Sequence, residues 1–304
     1  MADNPIYLTD YPNMDTAFPY SIKIETVTNV IPHRHDFLEF ILVLEGSGEQ
    51  IINGIRHRME PGTLIFLLPY QFHAIQCEPG TRMLLYICNF DLELLFHSRE
   101  GEWGLASIVL DDSEGLPPFV QLNEPEMTLV AGLFDSMMEE YAGSERMRNI
   151  FIKAKLLEAL VLFDRCRFKR HAEHGSASAA NKHNARPENV WQVIQYLHLH
   201  YREDITLEHL AQKFHYNISH LSETFKQRFG QNFIHFLHGL RIRHACGLLT
   251  STDLSVSHIA YEVGFGSFQT FSRAFQKMKG VSPTAYRKLM QRGMPSEGSA
   301  GSEI

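Results

Sequence analysis

Four side chains with metal-binding or hydrogen-bonding chemistry occur in the N-terminal part of the chain. The run His33-x-His35-x-x-x-Glu39 places two imidazoles two residues apart and a carboxylate four residues later, and His73 follows downstream. Residues two apart on a β-strand share a face, so His33 and His35 should point the same way. Three imidazoles and a carboxylate can hold a divalent transition metal with positions open for water or a ligand. The same four groups could instead hydrogen-bond a small ligand or satisfy one another.

A second set of polar side chains accompanies a repeated apolar pattern in the C-terminal part of the chain. The pattern L-x-x-L-A-x-x-F, which begins at Leu207, returns as V-x-x-I-A-x-x-V from Val256, and each copy closes with a glycine, Gly230 or Gly280. Such a repeat indicates two copies of one supersecondary unit. Each copy is predicted to contain a short helix, a tight turn and a second helix with one free face. This is the helix-turn-helix arrangement, whose free face enters the DNA major groove.

The predicted free faces carry side chains that suit contact with DNA. Glutamine can pair with adenine and arginine with guanine, while hydroxyls and helix N-termini suit phosphates. A solvated helix face would show similar residues, so the DNA interpretation depends on the repeat and on the local basic charge. The residues on these faces are Ser219, His220, Ser222, Glu223, Lys226 and Gln227 in the first copy, and Ser267, Gln269, Thr270, Arg273, Gln276 and Lys277 in the second.

Short apolar strands should position the first set of residues. A turn signal at Asn53-Gly54 and several Pro-Gly pairs favour a small antiparallel barrel or sandwich. Arg34, Tyr86 and Asn89 lie near these strands and could add polar contacts. The predicted strands are Ile22–Val27, Glu39–Leu44, Gly48–Ile52, Thr63–Leu68 and Met83–Asn89.

Helical periodicity replaces the strand pattern from residue 125. Two apolar stripes over 125–168 predict an αα-hairpin, which either packs only on the sheet or also pairs with a second subunit. Between the two C-terminal copies, residues 233–249 predict a helix about 25 Å long, which can hold the two DNA-contacting helices apart. Gly264 should supply a turn with positive φ. The predicted helix caps are Thr206, Asn217 with Ser219, Ser255 and Ser267.

The charge is divided unevenly along the chain. Residues 1–185 carry 15 Lys and Arg against 26 Asp and Glu, whereas residues 186–292 carry 13 against 7, within a net charge of -7. A basic C-terminal part predicts a polyanionic partner. Residues 171–189 are small and polar, which predicts a flexible linker, and residues 291–304 predict a disordered tail.

The composition excludes several classes of protein. With 304 residues, 44% hydrophobic and 21% charged, the chain is neither mainly disordered nor collagen-like nor a disulfide scaffold. The four cysteines are widely spaced, as suits free thiols in a reducing cytosol. The N-terminus lacks the features of a signal peptide, and no apolar run approaches the roughly 20 residues that span a bilayer. We therefore expect a cytoplasmic protein without a membrane partner.

Three C-terminal runs resemble the signature of AraC/XylS-type transcriptional regulators. They are R-I-R-H-A-C-G-L-L from Arg241, I-A-Y-E-V-G-F-G-S-F-Q-T-F-S-R-A-F-Q-K from Ile259, and G-V-S-P-T-A-Y-R from Gly280. The resemblance covers about residues 188–290. It implies an all-α unit with two helix-turn-helix motifs on a shared linker helix, and it adds Phe268 to the base-reading positions. Glu223 stands where relatives often carry Arg, and an acid there can accept from a cytosine amine.

The N-terminal pattern, with Gly46, Gly62 and Pro69 beside the four residues, resembles the two motifs of cupins over about residues 20–90. This implies an α+β chain: a cupin-like barrel with a helical hairpin that binds effector and dimerises (1–170), a linker (171–189) and a DNA-binding unit (190–290). The implied function is a regulator, favouring an activator, that binds promoter DNA, a small effector such as a carbohydrate, and RNA polymerase. The alternative is a metal-dependent cupin enzyme tethered to DNA.

Overall fold

The computed structural model consists of two compact units, and the division between them falls between Gln195 and Tyr196. The structure describes residues 6–8, 13, 16, 18–95, 116–174 and 190–293. Residues 171–174 of the predicted linker belong to a helix, and 175–189 lie outside the described residues. Likewise, residues 291–293 of the predicted tail end the last helix, and 294–304 are outside the described part.

Two five-stranded sheets face each other in the N-terminal unit. One has the strand order β1-β3-β8-β5-β6 and the other β10-β7-β4-β9-β2, and except for the parallel β1–β3 pair the neighbours are antiparallel. The strands are β1 (Ile6–Leu8), β2 (Tyr20–Val27), β3 (Asn29–His35), β4 (Leu38–Glu45), β5 (Gly48–Ile52), β6 (Ile55–Met59), β7 (Thr63–Leu67), β8 (His73–Cys77), β9 (Met83–Phe90) and β10 (Phe119–Gln121).

Strand β4 shows how the unit divides its interior into two layers. It pairs with β7 and β9 and is almost wholly buried, because both of its faces are covered. Ile41 and Val43 face the space between the two sheets, where they join an apolar cluster with residues of β8 and β9. Phe40 and Leu42 point to the opposite face and pack in a second cluster with the helices. Glu39 shares the inward face with Ile41 because side chains alternate along a strand.

Two helices, α1 (Glu124–Ala142) and α2 (Arg148–His174), cover the outer face of the β4 sheet. Helix α1 begins with a capping box, in which Asn123 and Glu126 satisfy each other's backbone N–H groups. The rings of Phe134 and Phe163 lie 6.0 and 5.8 Å from that of Phe40. Each of these buried rings contributes roughly 1.5–3 kcal/mol by leaving water. The predicted αα-hairpin is therefore present and packs on the sheet.

The C-terminal part is helical throughout its described length. Four predicted caps are confirmed: Thr206, Asn217, Ser255 and Ser267 each accept from a backbone N–H of the first turn of their helix. The Ser219 side chain is not a cap, and its backbone N–H instead donates to Asn217. Gly230 and Gly280 end the second helices in the left-handed region. The helices are α3 (Val190–His200), α4 (Leu207–Lys213), α5 (Ile218–Phe229), α6 (Phe233–Ser251), α7 (Val256–Glu262), α8 (Phe268–Lys279) and α9 (Pro283–Gly293).

The turn of the second helix-turn-helix packs directly on the segment before the first. Gly264 has φ +89°, and a Cβ there would lie 2.7 Å from the carbonyl oxygen of Arg202. Arg202 also pairs with Glu262 on α7 at 3.0 Å. Arg241 of α6 donates to the carbonyl oxygens of Tyr201 and Glu203 from its buried guanidinium. These contacts and α6 join the two helix-turn-helix motifs into one body.

The fold class is the predicted one, but the sequence missed five strands. Strand β3 contains Pro32, and β6 is mostly polar, so neither shows the apolar run that marks a buried strand. Helix α6 also extends two residues past its predicted end. No helix in the described ranges is long and apolar enough to cross a membrane. All four cysteines are buried free thiols.

Candidate functional site

The structure brings the four predicted effector residues together between the sheets. His33 on β3 and His73 on β8 are direct partners in the strand register, and their ring centroids lie 4.1 Å apart. Glu39 reaches them from β4 in the opposite sheet: its Oε2 atom lies 3.4 Å from Nε2 of His35 and 3.6 Å from Nε2 of His73. All four side chains are buried. We call this group the His–Glu cluster.

Backbone carbonyls orient the three imidazoles of the His–Glu cluster. Each ring holds its Nδ1 atom against a carbonyl oxygen, which can only accept a hydrogen bond, so each Nδ1 carries a proton. The Nε2 atoms therefore turn toward one another, and the three nearest ligand atoms lie within 4.8 Å of each other. Protein metal sites commonly fix their histidines in this way. The bonds run from His33 to Ile31 (2.9 Å), from His35 to Phe37 (3.0 Å) and from His73 to Gln71 (3.0 Å).

Burial controls the charges in the cluster. It lowers the pKa of His33 and lowers that of His73 to about 3, so both rings are neutral at pH 7. Burial alone would raise the pKa of Glu39, but the hydrogen bond and the electrostatic interaction with His35 bring it below its ordinary value. An ionised carboxylate thus faces the lone pairs of two neutral rings.

The cluster fits a divalent metal ion. The three imidazoles, with the Glu39 carboxylate beside two of them, form a donor set that suits zinc, iron, nickel or copper. The described residues that come close enough to form such a group are the three histidines, with the Glu39 carboxylate beside them.

A cavity of about 410 Å³ adjoins the cluster, within the size range of small-ligand sites. His33, Glu39 and His73 line it, and the remaining wall is largely apolar. The sequence interpretation missed this apolar wall. Ile41 and Ile75 follow Glu39 and His73 by two residues, so the strand period of two could have placed them on the same face. The buried aliphatic residues of the wall are Val27, Ile41, Ile75, Leu85 and Ile87.

The structure places the three additional polar residues, Asn89, Tyr86 and Arg34, in different surroundings. Asn89 lies opposite Glu39 in the β4–β9 register and is fully buried, and its side-chain amide has no hydrogen-bond partner among the described residues. Buried amides need a partner, so the Asn89 amide is available to a bound water or ligand. Tyr86 instead points toward α1, where its hydroxyl bonds Asp135. Arg34 lies between His33 and His35 on β3, so its side chain is on the other face.

The second helices α5 and α8 present most of the predicted DNA-contacting residues to solvent. Ser219, His220, Glu223 and Lys226 are exposed on α5, as are Phe268, Gln269 and Arg273 on α8. The apolar faces of both helices are buried, through Leu221 and Phe225 on α5 and through Phe271 and Phe275 on α8. The sequence pattern therefore placed the exposed and buried faces as the structure has them.

Two predicted DNA-contacting hydroxyls and one acid have partners within the protein, and a third hydroxyl is turned away from the open face. The Ser267 hydroxyl caps α8 by accepting from the Thr270 N–H, and it also lies 3.0 Å from the Thr270 hydroxyl. Ser222 is half-buried and lines a cleft between the two motifs rather than the open face. Glu223 accepts from Gln227 one turn later. Arg273 remains exposed, with its Nε atom near the Gln269 carbonyl oxygen at 3.4 Å.

Both units match known protein families. A family described as the AraC-like ligand binding domain matches residues 22–160, and one described as a helix-turn-helix domain matches residues 210–289. The chain belongs to the AraC family of transcriptional regulators. Its two units are accordingly a sensor domain and a helix-turn-helix domain.

Named relatives of this AraC-family chain are regulators. The HTH-type transcriptional activator RhaS of Enterobacter sp. (strain 638) is 25% identical over 84% of this chain and 87% of the relative. RhaS of Citrobacter koseri is 26% identical over 89% of this chain and 92% of the relative. Among solved structures, the C-terminal domain of AraT, a response regulator from Geobacillus stearothermophilus, is 35% identical over 39% of this chain and 97% of its own, with a TM-score of 0.34. The chain is thus similar to named transcriptional regulators over more than four fifths of its length.

Proposed function

We propose that this chain is a one-component transcriptional activator that binds promoter DNA through α5 and α8 and a small effector in its N-terminal unit. The observation that carries the proposal is the paired helix-turn-helix, in which both second helices are capped, packed on their apolar faces and exposed on their polar faces. The excess of basic residues over 186–292 supports contact with a polyanion. The activator names of the RhaS relatives support activation, which involves contact with RNA polymerase.

The effector site in this proposal is the His–Glu cluster with its adjoining cavity. His33, His35, Glu39 and His73 either hold a divalent transition metal or hydrogen-bond the effector directly. The resemblance to AraC/XylS regulators favours a carbohydrate, whose hydroxyls the cluster could bind. We place the protein in the cytoplasm, where its buried thiols stay reduced.

Dimerisation through the α1–α2 hairpin completes the proposal. The hairpin keeps large apolar side chains in solvent although its inner stripes are already packed on the sheet. Ile150 is 65% exposed, and Leu129, Phe151 and Phe168 are also exposed. Exposed apolar residues on a helical face favour contact with a second subunit.

Selection of duplex fragments by the full-length chain, followed by footprinting, tests the DNA-binding function. We expect one protected region per bound chain, and affinity that falls steeply with salt, with a log–log slope of about -0.9 per neutralised phosphate. A matched variant that replaces both Gln269 and Arg273 with alanine should retain weak, non-selective binding. Failure to shift any duplex at low salt would contradict the proposal.

A further inference from the structure

The cavity beside the His–Glu cluster has two ends of different chemistry. His33, Glu39 and His73 provide its polar end, deep between the sheets. Away from them the buried wall consists of aliphatic side chains, namely Val27, Ile41, Ile75, Leu85 and Ile87. The other polar lining residues are not buried: Lys23, Thr26, Thr28 and Asn29 are exposed, and Glu25 is half-buried. None of the described residues that line the cavity is a phenylalanine, tyrosine or tryptophan.

This aliphatic wall does not suit a polyhydroxylated ligand. A sugar presents a hydroxyl on almost every carbon, and each hydroxyl pressed against aliphatic carbon loses its hydrogen bonds to water without replacement. Isoleucine, leucine and valine side chains offer neither donors nor acceptors. The wall also lacks an aromatic face on which a sugar ring could stack. An aliphatic ligand body, in contrast, gains from leaving water at the same position.

The polar end suits an oxygen-bearing head group bound through a metal ion. Four protein donors leave open positions on a six-coordinate divalent ion, and two adjacent oxygens of one ligand can fill them. Asn89, opposite Glu39 and without a described partner, is not among the residues that line the cavity, so its amide can donate to a water that bridges to the ligand.

We infer that the effector is a small chelating carboxylic acid with an aliphatic body. Its oxygens bind a divalent metal held by His33, His35, Glu39 and His73, and its body lies against Ile41, Ile75 and Ile87. This inference rests on the proposed effector site in the N-terminal unit and replaces the carbohydrate with a different ligand class.

The first experiment tests the metal. The full-length chain, freed of metals by chelation, is titrated with Co²⁺ alone and followed by visible absorption and calorimetry. We expect one tightly bound Co²⁺ per chain, with the absorption bands of nitrogen and oxygen coordination. Absence of Co²⁺ binding, with Zn²⁺ and Ni²⁺ also negative, overturns the inference. DNA binding measured on the same sample reports separately on the regulator function.

The second experiment compares ligands that share one head group. The Co²⁺-loaded chain is titrated with α-hydroxyisocaproate, glycolate and gluconate, which carry the same α-hydroxycarboxylate and differ only in the body. Isohexanol supplies a similar body without the head. We expect α-hydroxyisocaproate to bind at least roughly tenfold more tightly than glycolate, because its aliphatic carbons leave water. It should also shift the cobalt bands, which isohexanol should not do.

Two results of this comparison overturn the inference. If gluconate or a free aldohexose binds most tightly, the ligand is a polyol. If the three hydroxy acids bind equally, the aliphatic wall does not contact the ligand.

A conservative pair of variants then tests the wall. Ile87→Val removes one methyl group from the cavity, and we expect it to weaken α-hydroxyisocaproate by roughly fourfold while leaving glycolate unchanged. Ile22→Val is the matched control, because Ile22 lies in the cluster on the outer face of the same sheet, under the helices. Equal effects of the two substitutions would show that Ile87 acts only through general packing and would overturn the assignment of the wall.

Discussion

A single carboxylate, Glu39, determines what the N-terminal site can bind. It is buried, it lies within 3.6 Å of two imidazole nitrogens, and it provides the negative charge among the four side chains of the cluster. Its removal should therefore lower metal affinity more than the removal of any residue that does not itself bind the metal.

For Glu39→Gln we expect the affinity for Co²⁺ to fall by more than the about 10- to 100-fold that is typical of losing a partner outside the metal's own ligands. The amide keeps the shape of the side chain but not its charge. Calorimetric titration of the full-length chain measures the effect, and DNA affinity should be retained. Glu49→Gln is the control, since Glu49 forms an exposed ion pair with Arg56. Equal Co²⁺ affinity in both variants would remove Glu39 from the site.

Arg273 is the exposed residue of α8 best suited to read a base. Arg273→Ala should weaken the free energy of binding to the selected site by about 1–3 kcal/mol and change binding to random duplex DNA little. Arg273→Lys separates the two modes of contact, because lysine keeps the charge but lacks the planar fork that pairs with guanine. Competition gel shifts measure both. If Arg273→Lys binds the selected site as well as the parent chain does, Arg273 contacts a phosphate instead.

At the scale of elements, the turn glycines of the C-terminal unit differ in what they tolerate. Gly264 combines a positive φ with close backbone neighbours, Gly280 has a positive φ in open space, and Gly266 has neither constraint. Alanine at Gly280 should lower the free energy of unfolding by about 1–2 kcal/mol, because the backbone there is left-handed. Alanine at Gly264 should cost more, because its Cβ meets the Arg202 backbone, whereas alanine at Gly266 should be nearly neutral. Urea unfolding of the three variants gives the order, and a neutral Gly264→Ala would contradict it.

The helices were predictable because their signals are local. Thr206, Asn217, Ser255 and Ser267 each bind a backbone N–H only two or three residues away, so the information that starts each helix lies beside it. Helical and strand periods likewise placed the exposed face of α8 and the inward pair His33 and His35.

The missing strands depend on partners far away in the chain. Strand β8, with the sequence HAIQC, has no clear alternation of polar and apolar residues and is held by pairing with β3 and β5. The meeting of His33 and His73 follows from that pairing, and only a resemblance to cupins indicated it in advance. The outward direction of Tyr86 and the capping role of Ser267 also depend on neighbours that a sequence pattern does not specify.

At the scale of the whole molecule, the exposed apolar residues of the hairpin predict a second subunit. Ile150→Glu should weaken dimerisation of the full-length chain, because it places a charge in the apolar contact. Ile55→Glu is the control: Ile55 is 68% exposed, close to the 65% of Ile150, but lies on β6. Sedimentation velocity over a concentration series measures the association. A parent chain that stays monomeric with and without Co²⁺ and α-hydroxyisocaproate would contradict this interface.

The close packing of Gly264 against the backbone of Arg202 has a consequence for the promoter. B-DNA returns the same face every ~10–10.5 base pairs. Because the two motifs cannot rotate independently, inserting about half a helical turn between the bases they read would carry one subsite to the far side of the duplex. A full-turn insertion would restore the face but move that subsite ~34 Å along the axis, beyond the reach of a 19-residue α6. The spacing of bases within one chain's site is therefore fixed as strictly as their identity.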